Sequence, residues 1–134
     1  MLQPKKEKYR KQFRGTMKGN ANRGTDLAFG EFGLKAVTGG WVNAHEIEAA
    51  RKKITFMTKR AGTYWCRIFP HKPITKKPVG VKMGSGKGPV ETHVAVVRPG
   101  TILFELGGVT PEIARDAFIK AGHKLSVKTV LVTK

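Results

Sequence analysis

ETHVAVVRPGTILFEL, residues 91–106, holds two apolar, β-branched runs divided by Pro99 and Gly100. Glu91–Arg98 and Thr101–Leu106 are each long enough for a strand, and a proline–glycine pair between strands is a turn signal, so the segment predicts a β-hairpin. A hairpin implies antiparallel pairing, and the rest of the chain can be read outward from it. Upstream, TYWCRIFP (63–70) is aromatic and β-branched and predicts a strand that Pro70 ends. Further upstream, LAFGEFGLKAV (27–37) predicts one strand with a bulge or two short strands around Gly30 and Gly33. Downstream, SVKTVLVT (126–133) predicts a last strand.

Two helices complete the core. Trp41 and Val42 lead into the first, where Asn43 followed by Glu46 makes a capping box: Asn43 accepts from an early backbone N–H and Glu46 reaches back. That helix is expected over 44–60, with Ile47, Ala50, Ile54 and Met57 on one face, cations on the others and Gly62 placed to end it. The second begins with Thr110 as N-cap and Pro111 at the first helical position, where a missing N–H costs nothing. Ile113, Ala114, Ala117, Phe118 and Ala121 are its expected buried face, and Gly122 stops it near Lys124. The fold class is α+β: a sandwich with a mainly antiparallel sheet and two helices on one face. At 134 residues the chain is one domain's worth. That domain is expected over 25–134, with an arm at 1–24 and a protruding loop at 71–90.

The charge decides the class of partner. Lys and Arg number 26 against 9 acids, a formal net charge of +17, and self-repulsion of that size opposes compaction unless a polyanion neutralises it. Nucleic acid is the leading candidate. The cations lie along the whole chain and no amphipathic anchor helix is visible, which argues against a membrane surface. In the arm, Lys5, Lys6, Lys8, Arg10, Lys11, Arg14, Lys18 and Arg23 face the single acid Glu7, with Tyr9 and Phe13 interleaved. Cations alternating with aromatics suit an arm that orders on RNA by phosphate contact and stacking.

HKPITKKPVGVKMGSGKGPV (71–90) joins lysines and glycines with no acidic residue, and so large a loop without apolar periodicity is usually either functional or disordered. It is not a nucleotide-triphosphate loop. Val81 stands where G-x-x-x-x-G-K-[ST] needs its first glycine, and Gly88 stands where a hydroxyl is needed. What remains is a backbone able to approach phosphates, with Lys82 and Lys87 supplying charge.

Nothing in the chain demands an active site. His45, His71, His93 and His123 have no metal-ligand spacing, and the single Cys66 reads as a small buried hydrophobe and allows neither an intrachain disulfide nor a cysteine zinc site. The carboxylates are assignable to caps, strand faces and ion pairs. No cofactor is expected. The N-terminal residues lack the apolar run of a secretory signal, so a cytoplasmic setting, or an organelle that makes the protein locally, is expected.

KRAGTYWCRIFP (59–70) and KMGSGKG (82–88) resemble the two signature segments of the bacterial-type large-subunit ribosomal protein family sixteen. MLQPKKEKYRKQFRG, FGLKAV, IEAARKKI and HKLSVKTVLVTK are similar to the family in the same order, over essentially the full length. The resemblance implies a non-enzymatic protein that binds large-subunit ribosomal RNA beside other large-subunit proteins. It also implies contact with A-site transfer RNA near the peptidyl-transfer centre, P-site transfer RNA being a second candidate. Carried over by motif, Lys82, Met83, Gly84, Ser85, Gly86, Lys87 and Gly88, with Lys76 and Lys77, form the transfer-RNA-facing loop. The arm cations with Arg51, Lys52, Lys59, Arg60 and Arg67 hold ribosomal RNA. Three positions depart from the family pattern. Lys82 stands where arginine is common, keeping the charge but losing the planar fork. Cys66 replaces an aliphatic residue, and His93 a large aromatic or basic one. The competing readings are an RNA-modifying enzyme, which would need converging polar groups in a cleft, and a free-standing module such as an assembly factor.

Overall fold

The computed structural model describes residues 1–134. In chain order its elements are β1 (Phe32–Ala36), β2 (Gly40–Asn43), α1 (Ala44–Met57), β3 (Thr63–Cys66), β4 (Lys72–Thr75), β5 (Val90–Val97), β6 (Ile102–Gly107), α2 (Pro111–Gly122) and β7 (Thr129–Thr133). They form a four-stranded sheet, β3-β6-β1-β7, and a three-stranded sheet, β2-β5-β4, both antiparallel throughout. The α+β class with two helices stands.

The hairpin expected over 91–106 does not form: β5 pairs with β2 and β4, whereas β6 pairs with β1 and β3. The turn is present, with Thr101 N–H donating to the Arg98 carbonyl at 3.1 Å, but it is tied to β1. Gly100 N–H donates to the Ala36 carbonyl and Ala36 N–H to the Thr101 carbonyl, both at 2.8 Å. The chain therefore changes sheets at Pro99–Gly100. Burial supplies the reason. All six residues of β6 are buried, which suits the interior of a sheet covered on both faces, while β5 mixes buried and exposed positions as a half-covered strand does.

Two strands replace segments expected to be irregular. Gly40–Asn43 is β2, a four-residue strand running straight into the helix cap. Lys72–Thr75 is β4, so the loop of 71–90 shortens to the residues between β4 and β5. Pro73 is tolerated because β4 lies at a sheet edge. Of the 27–37 run only Phe32–Ala36 pairs, with a register shift at Leu34/Lys35. The 63–70 and 126–133 runs pair only over Thr63–Cys66 and Thr129–Thr133.

Asn43 Oδ1 accepts from Glu46 N–H at 2.8 Å as expected, but Glu46 does not reach back. Its Oε2 instead accepts from Ser126 N–H at 2.7 Å, tying the start of α1 to the approach to β7. α1 stops at Met57 rather than Arg60, and the stop is made by left-handed Lys59 (φ 52°) and Arg60 (φ 63°) before Gly62 is reached. Lys59 N–H donates to the Phe56 carbonyl and Arg60 N–H to the Thr55 carbonyl, both at 3.2 Å. This is a Schellman closure with lysine at the position that favours glycine.

In α2, Thr110 Oγ1 accepts from Ile113 N–H at 3.4 Å. Ile113 itself is 38 % exposed, so it drops out of the expected buried face, which consists of Ala114, Ala117, Phe118 and Ala121. These meet Ala50, Ile47 and Ile54 of α1 over Phe32, Leu34, Phe104 and Leu106 in one apolar core. Small side chains on both helices let them pack on each other while the phenylalanines fill the space beneath. No helix is long and apolar enough to cross a membrane.

Candidate RNA-binding surface

The arm contains no helix or strand and follows a defined path. At its end nearest the core, Ala21 N–H donates to the Pro99 carbonyl at 2.9 Å and Ile102 N–H to the Gly24 carbonyl at 2.7 Å. Arg14 Cζ and Lys72 Nζ lie 5.6 and 5.4 Å from the Trp41 ring centroid, and Lys72 also donates to the Arg14 carbonyl. The arm's single acid, Glu7, pairs with His93 on β5. The three-stranded sheet thus supplies one anchor from each strand: Trp41 from β2, Lys72 from β4, His93 from β5. From the residues alone Trp41 is only the approach to α1, Lys72 is one of the loop's lysines, and His93 is a departure from the family pattern with no assigned contact.

The arm also clasps the loop. Lys87 Nζ donates to the Gln12 carbonyl at 2.6 Å, Lys11 Nζ donates to the Lys87 carbonyl at 3.1 Å, and Lys87 lies 5.8 Å from the Phe13 ring centroid. Two polycationic segments are held together because ammonium groups find carbonyl oxygens and a ring face. Neither acceptor is visible to a charge count.

The loop's base closes through Lys76 N–H to the Pro89 carbonyl at 3.2 Å, and Lys77 Nζ donates across it to the Gly84 carbonyl at 2.6 Å. Gly84, Ser85 and Gly86 all have positive φ (111°, 62° and 91°), a run that one L-residue flanked by two glycines can hold. Nothing in the chain lies within 4 Å of where a Cβ would stand on Gly84 or Gly86, so that backbone is open to an incoming group. Met83 is 98 % exposed, and exposed Lys82 makes no hydrogen bond or ion pair within the chain. Lys87 and Lys77 therefore shape the loop, while Lys82 and Met83 form its free tip.

The remaining expected RNA contacts divide in two. Lys52, Lys59 and Arg60 are exposed at the end of α1, where Arg51 is partly occupied by an ion pair with Glu48 that holds the Glu48 carboxyl below its usual range. Arg67 faces inward. Its guanidinium pairs with Glu105, donates to the Asp26 carbonyl at 3.2 Å and lies 5.5 Å from the Phe29 ring centroid.

Glu105 is fully buried on β6, and its Oε1 accepts from the N–H groups of Ala28, Phe29 and Gly30 at 3.0, 2.9 and 2.9 Å. Burial alone would push the carboxyl up, but three amides and Arg67 outweigh it and hold the group below its ordinary value. Arg67 thus fixes the 26–30 segment over the four-stranded sheet. Half-buried Cys66 packs against the core and its Sγ contacts the Ile68 carbonyl at 3.3 Å. Burial pushes its thiol up, which leaves it a poor nucleophile.

A small α+β core, a clasped cationic arm and loop, and a second cationic cluster at a helix end form a surface for a polyanion, and the chain agrees with one family along nearly its entire length. Residues 4–132 match the family model described as Ribosomal protein L16p/L10e, and the chain belongs to that family of non-enzymatic large-subunit ribosomal proteins.

Proposed function

We propose that this protein, as a structural constituent of the large ribosomal subunit, positions transfer RNA through the tip of its glycine–lysine loop while its arm and α1 cations hold ribosomal RNA. Family membership supplies the ribosomal role and implies ribosomal RNA and neighbouring ribosomal proteins as partners. The observation that carries the finer reading is the division of labour among the loop lysines: Lys77 and Lys87 are spent internally, and Lys82 and Met83 are left outward on an open backbone. A-site transfer RNA is the favoured ligand of that tip and P-site transfer RNA the second. The setting is the cytoplasm of a bacterial cell, ahead of an organelle that encodes its own ribosomal proteins.

The mechanism is positioning. An A-form helix hides its base edges in a narrow groove, so a cationic protein reads it through phosphates, 2′-hydroxyls and shape. Lys82 offers a flexible point charge, and the exposed Met83 thioether offers an apolar, adaptable contact. Binding should weaken with salt by roughly 0.7–0.9 logarithmic units per tenfold salt for each phosphate neutralised.

The test is a sucrose-gradient profile at moderate and high salt, joined to A-site transfer RNA binding by subunits carrying Lys82→Ala. The reading requires stoichiometric co-migration with large subunits and full ribosomes, lost only at high salt, and weaker transfer RNA binding with normal incorporation. Protein at the top of the gradient, or only in precursor particles, would make it a free RNA binder or assembly factor. Failed incorporation of Lys82→Ala would make the loop architectural.

A further inference from the structure

The end of α1 carries features that charge alone does not explain. Phe56 is 72 % exposed on the last turn. A lone exposed phenylalanine needs no explanation, but three observations converge on this one. It lines a surface groove of about 430 Å³ whose other walls are Lys52, Thr55, Lys59 and Arg60. That groove shares Thr55 and Arg60 with a second of about 290 Å³, which brings in Tyr64 as another partly exposed aromatic. Two of the three cationic walls, Lys59 and Arg60, are held in left-handed conformations that L-residues with side chains seldom adopt. Glycine would close the helix at Lys59 without that strain, so the strained position is occupied by a residue that brings a charge into the groove. Lys53 Nζ lies 5.3 Å from the Phe56 ring centroid, a cation–π contact that steadies the ring.

The geometry points to a nucleotide-stacking site: Phe56 is the platform for an unpaired base of large-subunit ribosomal RNA, and Lys52, Lys59 and Arg60 meet the phosphates on either side of it. This deepens the RNA-binding reading above and rests on it. It differs in the kind of RNA recognised. The loop and arm address shape and phosphate, whereas an exposed ring in a cationic groove addresses a base that has left its helix. Charge selects the occupant, because the groove walls hold three cations and no acid.

Stacking and charge neutralisation leave different signatures. A lost phosphate contact reduces the salt dependence of binding, whereas a lost stack weakens binding equally at all salt concentrations. The experiment titrates the full chain, with Phe56→Ala, Phe56→Trp and Lys52→Ala, against deproteinised large-subunit ribosomal RNA and against a fully paired RNA duplex, over a range of salt. Phe56→Ala should lose roughly 10-fold or more on ribosomal RNA with an unchanged salt slope. Phe56→Trp should retain the affinity, and neither should alter duplex binding. Lys52→Ala should lower the slope by about 0.7–0.9.

If Phe56→Ala matches the wild type on ribosomal RNA while the wild type still prefers that RNA to duplex, the stacking site is wrong and the RNA-binding reading survives. Equal loss on duplex would also overturn it, since a duplex offers no free base. If the wild type shows no preference for ribosomal RNA, the broader reading fails and takes this one with it. A Phe56→Ala protein that binds RNA normally but incorporates poorly into subunits would assign the groove to a neighbouring protein and overturn the proposal.

Discussion

The four-stranded and three-stranded sheets share one kind of ladder and spend their polar groups in opposite directions. The first turns them inward: Glu105, at the centre of its most buried strand, gathers three backbone amides and Arg67 beneath the surface. The second turns them outward, with Trp41, Lys72 and His93 each engaging the arm. One sheet makes the fold unique and the other presents an appendage. The difference teaches that cations alike in sequence carry unlike roles, Arg67 being a structural ion and Lys72 a docking post.

Removing Glu105 should break the first sheet most severely. Glu105→Ala leaves a largely buried guanidinium and three amides without their acceptor, and urea unfolding should show a loss of about 3–5 kcal/mol. The pH dependence follows from the same group. Its folded carboxyl titrates below the ordinary 4.5, so its contribution is complete above that value and is lost as pH falls through the lower, folded value. The wild type should therefore lose stability on acidification more steeply than Glu105→Gln.

Gly30→Ala comes next. A Cβ there would stand 2.7 Å from the Leu106 carbonyl oxygen, a contact backbone must move to relieve. A loss of about 1–3 kcal/mol by thermal or urea unfolding is expected. Lys87→Ala tests the second sheet's side. It should leave core stability within about 0.5 kcal/mol, as surface substitutions do, yet raise the rate of proteolytic cleavage in residues 1–14 several-fold. Lys82→Ala should leave the arm as protected as in the wild type.

A change of opposite sign is expected where α1 runs into the four-stranded sheet. Lys59→Gly should raise stability by roughly 0.5–1 kcal/mol, because relief of the left-handed strain exceeds the added chain entropy. It should also weaken RNA binding and lower its salt slope. A neutral or destabilising result would show that Lys59 is not strained.

Much of this was legible in the residues. Asn43, Thr110 and Pro111 announced both helix starts because capping is local chemistry. The hairpin was misread because Pro99–Gly100 reports a turn but not which neighbours the chain meets after it. β4 was hidden because Lys72 and Pro73 belong to loops by composition, and only an edge position makes them a strand. Glu105 could be placed on a strand face, but its acceptor role depends on Ala28–Gly30 lying across β6, a contact some 75 positions apart. The binding surface was legible as charge and illegible as geometry. Its clasp is made of lysines bonding to carbonyls, and every residue has a carbonyl.

The crossing at Pro99–Gly100 has a consequence for how the chain acquires its structure. β1 is bracketed by β6 and β7, and the Phe32–Thr133 pairing joins positions about a hundred residues apart. Such non-local pairing makes loop closure the dominant barrier and folding slow. During synthesis the first strand must wait, unpaired, until nearly the whole chain has emerged. A segment that neutralises the basic arm in that interval acts on a nascent chain whose principal sheet does not yet exist.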